Sequence, residues 1–231
     1  AAQDAVDALA ARIWADRADY GYDNEPLATS IRRAQALAAG ATRPVLLLDH
    51  GDNCMSGGTC DTMDVLAEAL AQGLTGIAVG PICDPEAVAQ LVAAGPGRTV
   101  EVALGNKAPL TAIGRNTPPL RLRGVVRAVS DGAYTITGPI YRGQRVHMGR
   151  TVCFDIGAAQ IVVVEQTHEP MDLGVFQCVG IDATAFAYLL LKSRMYCRPV
   201  FGPLSSGLVE CDSGGVTTAD HTRFRYRNVV R

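Results

Sequence analysis

Positive charge is not in excess in this chain. Lys and Arg number 21 against 23 Asp and Glu, for a net charge of -2, which leaves no electrostatic footprint for nucleic acid. No apolar run approaches the length of a membrane span. The start, Ala1-Ala2-Gln3-Asp4, has neither the basic region nor the apolar core of a secretion signal. An initiator Met is missing too, so a processed protein or a piece of a longer one is expected. The seven cysteines form no CxxC pair, which excludes a zinc ribbon and a thioredoxin-type motif. They read as reduced, mostly buried thiols of a cytoplasmic protein. Only four histidines occur, with no HExxH and no HxH. No local spacing therefore assembles a three- or four-ligand metal site. Neither a Walker A loop nor GxGxxG is present.

What is present suits a globular enzyme or enzyme domain. The 231 residues are 48% hydrophobic and 19% charged, enough for one large domain or two small ones. Residues 2–18 read as an amphipathic helix, with Val6, Leu9, Ala10, Ile13 and Trp14 on one face. A second helix is expected from about Pro26 to Ala39, which makes residues 1–40 a helical segment ahead of an α/β domain at 41–231. Strands and helices then alternate: strand 45–48, helix 62–72, strand 75–79, a helix capped by Asp84 with Pro85 at its first position, and strand 99–104. This pattern predicts a βαβαβ unit. From about 120 to 166 the period switches to two, and an antiparallel meander or small barrel is expected. Tyr188–Leu191 is an apolar strand ending in Lys192-Ser193. The tail, about 217–231, is polar and basic and is expected to wrap the surface. The fold class is thus α/β, a partly parallel sheet with flanking helices and an antiparallel β-rich insertion.

Chemistry concentrates after the apolar run Pro44–Leu48. Asp49, His50, Asp52 and Asn53 follow it, and ligands of open α/β sheets bind beyond the carboxyl ends of the strands. Asp and His can ligate a divalent metal or act as bases. As a plain alternative, Asp and Asn there cap a turn. Asp49 is the first polar residue past the strand. His50 alternates in direction with it, so the two need not point to one place. Gly57 and Gly58 open a turn whose amides can hold an anion or a carboxylate. Cys60, with His50 as its base, defines a thiol-hydrolase alternative. Lys192 and Ser193 form a third candidate corner, Lys192 to hold a carboxylate and Ser193 to hydrogen-bond a substrate. His147, His168 and His221 read as solvated or structural.

The run Pro44–Asp49, with Asp52-Asn53, Gly57-Gly58 and Cys60-Asp61, resembles the C-terminal domain of the MlrC family of metallopeptidases. So do Asp84-Pro85-Glu86-Ala87 with Gly95, Leu104-Gly105-Asn106-Lys107, Val126–Gly132, Gly180-Ile181-Asp182 and Leu191-Lys192-Ser193. The order is the family's from about 44 to 193. The stretch Asn53–Cys60 departs from the family's Pro-Gly-Gly-Gly form. The resemblance implies a zinc peptidase of two halves, with the principal metal ligands on an N-terminal half absent from this sequence. It implies linearised microcystin or similar small peptides as substrates. By position, Asp49 and Ser193 match residues near the metal and substrate, while His50, Asp52, Asn53, Gly57, Gly58 and Lys192 surround them. An alternative of another class is a non-catalytic binding or oligomerisation domain whose β-rich segment makes contacts between copies.

Overall fold

The computed structural model describes residues 1–228; the end of the predicted polar tail, 229–231, lies outside the described residues. Eight strands form one mixed sheet. In chain order the strands are β1 (Val45–Asp49), β2 (Ile77–Cys83), β3 (Thr99–Leu104), β4 (Leu120–Ser130), β5 (Ala133–Thr135), β6 (Arg145–His147), β7 (Thr151–Asp155), β8 (Ala159–Val164), β9 (Tyr188–Leu191) and β10 (Gly207–Cys211). The spatial order is β10-β1-β9-β2-β8-β7-β4-β3, and β5 and β6 form a separate hairpin. Strands β10, β1, β9, β2 and β8 run parallel. The other three, β7, β4 and β3, extend the sheet antiparallel.

The β1 sequence Val-Leu-Leu-Leu needs cover on both sides, and the sheet supplies it. Residues 45–48 are fully buried, as parallel strands with two covered faces require. Val45 and Leu47 point to one core with Ile31, Leu66, Ile77 and Leu91. Leu46 and Leu48 point to the other with Phe176, Leu189 and Phe201. The first core lies under helices α2 (Leu27–Ala38), α3 (Asp64–Ala71) and α4 (Pro85–Ala94). The second lies under the short helices α5 (Gly174–Gln177) and α6 (Arg198–Phe201). The N-terminal helix α1 (Ala2–Ala15) buries no residue. A 3-10 turn, Arg17–Tyr20, follows it.

One topological expectation changes and one open alternative is decided. Strand β3 is not a parallel neighbour of β1 or β2; it pairs antiparallel with β4 at the far edge. Local periodicity is the same for either direction, and the partner decides. Of the two arrangements expected for the β-rich segment, the antiparallel one forms, with β4, β7 and β8 pairing in turn, and the barrel does not. Its strands β4, β7 and β8 join the main sheet, and only β5 and β6 stand apart. The predicted cap at Asp84 is present: its Oδ1 accepts from the Ala87 amide at 3.0 Å. All seven cysteines are free, four buried and three half-buried. No helix among the described residues is long and apolar enough to cross a membrane.

Candidate functional site

Parallel strands expose their carboxyl ends at one edge, and the loops there carry the polar residues. Asp49 ends β1, Lys192 and Ser193 follow β9, and Asp84 follows β2. Glu169 lies in the loop after β8, and Asp212 and Ser213 follow β10. Leu48 is level with Leu191 in the β1–β9 register, which sets Asp49 beside Lys192.

Lys192 is the centre of a buried knot. Its Nζ donates to Asp49 Oδ2 at 2.7 Å and to Thr62 Oγ1 at 2.7 Å, and it also donates to the Thr62 carbonyl. Asp52 Oδ2 is 3.2 Å away. Only 1% of the Lys192 side chain and none of either carboxylate is exposed. Asp52 is the better solvated by protein: Cys60 N and Thr62 N each donate to it at 2.9 Å. The three pKa directions follow. Burial pushes Asp49 up, and Asp52 adds to the rise, while Lys192 only partly offsets it. For Asp52, burial is outweighed by Lys192 and the two amides, and the carboxyl is held low. For Lys192, burial is outweighed by the two carboxylates, and its pKa rises above the ordinary lysine value.

Ser193 lies beside this knot but faces elsewhere. Its Oγ donates to Glu169 Oε1 and accepts from Cys197 N at 3.3 Å. Asp49 thus pairs with Lys192, and Ser193 pairs with Glu169. Consecutive residues leaving a strand point to opposite sides. Glu169, which the sequence did not single out, also accepts from Met55 N at 2.8 Å. Burial raises its carboxyl pKa.

The glycine turn acts at home. The amides of Gly57 and Gly58 hold no anion but donate to the Cys54 and Asn53 carbonyls at 3.1 and 2.9 Å; the flanking amides meet the protein's own carboxylates, Glu169 on Met55 N and Asp52 on Cys60 N. Gly57 takes the left-handed conformation (φ 91°). Gly58 is needed for space, since a Cβ there would sit 2.6 Å from the Asp52 carbonyl carbon. Gly58→Ala should cost ~1–3 kcal/mol by overpacking, read as a lower urea midpoint; an unchanged midpoint would show that the turn can yield. Asn53 holds the turn by donating from Nδ2 to Ser56 Oγ at 3.0 Å. Further along, Asp61 Oδ2 accepts from the amides of Lys107 and Ala108 at 2.8 and 2.7 Å. Lys107 Nζ in turn pairs with Asp84 Oδ1 at 3.0 Å.

His50 belongs to a separate patch. Its ring meets Tyr22 edge to face at 5.3 Å. Tyr22 donates to Glu210 Oε2 at 2.7 Å and lies under the Arg194 guanidinium. Burial lowers the His50 pKa. Cys60 is fully buried and donates its thiol hydrogen to the Pro81 carbonyl. No hydrogen bond joins Cys60 to His50, so the thiol-hydrolase pairing is not assembled. The segment after β10 closes the wall: Thr217 Oγ1 donates to the His50 carbonyl at 2.7 Å and accepts from Asn53 N at 2.8 Å. Sequence reasoning missed this segment.

Four buried polar atoms at this edge have no hydrogen-bond partner among the described residues: Asp49 Oδ1, His50 Nδ1, Asn53 Oδ1 and Ser213 Oγ. Unsatisfied buried groups of this kind are rare and call for a partner. A metal tests poorly against them. Among the described residues no three His, Cys, Asp or Glu side chains converge to hold an ion. The described residues of this edge do not by themselves form a metal centre.

The comparisons fit that geometry. The chain is 28% identical to microcystinase C of Sphingomonas sp. over 193 residues, which is 83% of this chain and 36% of that protein. Its fold matches the crystal structure of a protein named "Putative metallopeptidase" from Mesorhizobium sp. BNC1, with a TM-score of 0.81 and 21% identity. That match covers 95% of this chain and 42% of the other. The chain thus spans less than half the length of both. Residues 47–228 match the family model described as MlrC C-terminus, and the chain belongs to that family.

Proposed function

We propose that this chain is the C-terminal portion of a metal-dependent peptidase that acts in the cytoplasm with an N-terminal half holding the metal. Zinc is the metal in this reading, and linearised microcystin or similar small peptides are the substrates. Family membership and the relationship to microcystinase C support the peptidase class. The observation that carries the site assignment is Asp49. One of its carboxylate oxygens is locked by Lys192 and Thr62, and the other is buried at the carboxyl end of β1 without a well-formed hydrogen bond, with the Ser213 side chain close enough to help hold the carboxyl's pKa down. A carboxyl with a raised pKa, oriented by a fixed ammonium, is suited to hold or pass a proton at Oδ1. Lys192 and Asp52 position it. Ser193 and Glu169 position the glycine turn through Met55 rather than touching a substrate.

The test compares the chain alone with the chain joined to the portion of microcystinase C that precedes the matched segment. Alone, it should bind no zinc and hydrolyse no linear peptide. Joined, it should do both, and Asp49→Asn should lower kcat at least tenfold with zinc content unchanged. Stoichiometric zinc on the isolated chain, or full activity of the joined D49N protein, would refute the assignment.

A further inference from the structure

Helix α1 is an anomaly in this fold. Soluble proteins rarely leave a contiguous apolar face uncovered. Here Val6, Leu9, Ile13 and Trp14 share one face at helical spacing, and they are 58%, 61%, 49% and 70% exposed. No residue of α1 is buried. The helix contributes to neither core; among the described residues the Arg17 guanidinium lies over the Trp14 ring, 4.7 Å from its centroid.

We infer that the apolar face of α1 is the docking surface for the metal-bearing N-terminal half of an MlrC-type peptidase. This inference rests on the two-half reading above and names its interface. Three observations select that occupant. First, the chain matches the family's C-terminus and only 36% of microcystinase C, so the relative carries a large portion for such a surface to meet. Second, α1 is tethered to the site wall. Tyr22 is pinned between His50 and Arg194 at the carboxyl edge of the sheet. Trp14 is eight residues earlier, a reach of about 28 Å at most. A partner gripping α1 is thereby kept close to Asp49, His50 and Ser213, whose unpaired atoms need completing. Third, the polar side of α1 carries Asp4 and Asp7 against Arg12 alone. That is not the Lys- and Arg-rich face of a helix that lies on a membrane.

The test uses the whole chain and the portion of microcystinase C preceding the matched segment as a separate polypeptide. Association is measured by light scattering after gel filtration. Trp14, the single tryptophan, is followed by hydroxyl-radical footprinting of the tryptic peptide 13–17. The expected result is a one-to-one complex with at least tenfold protection of Trp14. The variant L9E/I13E should weaken association at least tenfold while its own unfolding midpoint stays at the wild-type value, because α1 is outside the core. Equal association of wild type and variant with Trp14 unprotected overturns the docking surface and leaves the two-half reading standing. Trp14 protection that grows with the chain's own concentration, without the partner, assigns the face to a second copy and also overturns the inference. Absence of any association overturns both.

Discussion

Lys192→Met should lower the unfolding free energy by about 3–5 kcal/mol, the range for removing one partner of a buried ion pair. Met matches the length and apolar stem of Lys, so the loss isolates the charge. What remains is two carboxylates, Asp49 and Asp52, both without exposure. Each has lost its cation, and they repel. Asp52 keeps the amides of Cys60 and Thr62, whereas Asp49 keeps no amide: it has the Ser213 side chain and a share of the Thr62 hydroxyl, which lies 3.3 Å from it and 3.0 Å from Asp52. Asp49 is therefore the group that takes up a proton in the variant, as its raised pKa already indicates. The defect should shrink on acidification, because a neutral Asp49 no longer needs Lys192. Urea unfolding of wild type and K192M at pH 7.5 and pH 5 reads both effects. Asp49→Asn should cost less than K192M, since Lys192 then retains Asp52 and Thr62. Equal midpoints for K192M and wild type would show that the knot adds no stability. A typical domain has only about 5–15 kcal/mol in total, so this single charge decides a large share of whether the edge holds its shape.

The knot also shows where sequence reading stops. The end of β1 was legible because Val45–Leu48 is uniformly apolar and a polar residue must follow where burial ends. The same logic found Tyr188–Leu191 and the two residues after it. It could not tell that β9 lies between β1 and β2. That placement alone brings Lys192 onto carboxylates 143 and 140 positions away in the chain. Strand β10 was missed for a different reason. It opens on Gly207, carries Glu210, and lies at the sheet edge half-buried, so it offers neither a continuous apolar run nor strict alternation. With it went Asp212, Ser213 and Thr217. Glu169 was hidden because a lone Glu before Pro170 has no local signature, and its role depends on the amide of Met55. Helix α1 is the converse case. Its amphipathic pattern was plain, yet a pattern specifies a face and not what covers it.

Acidification from pH 6.5 to 4 should lower stability through His168, with a slope of about 1.4 kcal/mol per pH unit while the group titrates only when unfolded. Burial pushes the His168 pKa down to about 4. Its Nε2 lies 2.5 Å from the Tyr134 hydroxyl on β5, and the rings meet edge to face at 5.7 Å. Burial there disfavours the charged imidazolium relative to the neutral ring. In the unfolded chain His168 protonates near its ordinary value of about 6.5. The unfolded state thus gains its proton first as pH falls. Stability from this group is intact above pH 6.5, declines through the window, and has no more to lose below about 4. The total is about 2–3 kcal/mol, discounted for the partial exposure of the ring. His50, also lowered by burial, acts in the same direction, so His168→Asn should flatten the slope without abolishing it. The variant also frees the Tyr134 hydroxyl, which lowers the midpoint at pH 7.5 and brings the two curves together at low pH. Imidazole NMR of the folded chain supplies the direct check. A His168 titration midpoint near 6.5 would refute the assignment. A midpoint near 4 would place acid sensitivity in the contact between the hairpin and the loop after β8, the same loop whose Glu169 holds the glycine turn at the candidate site.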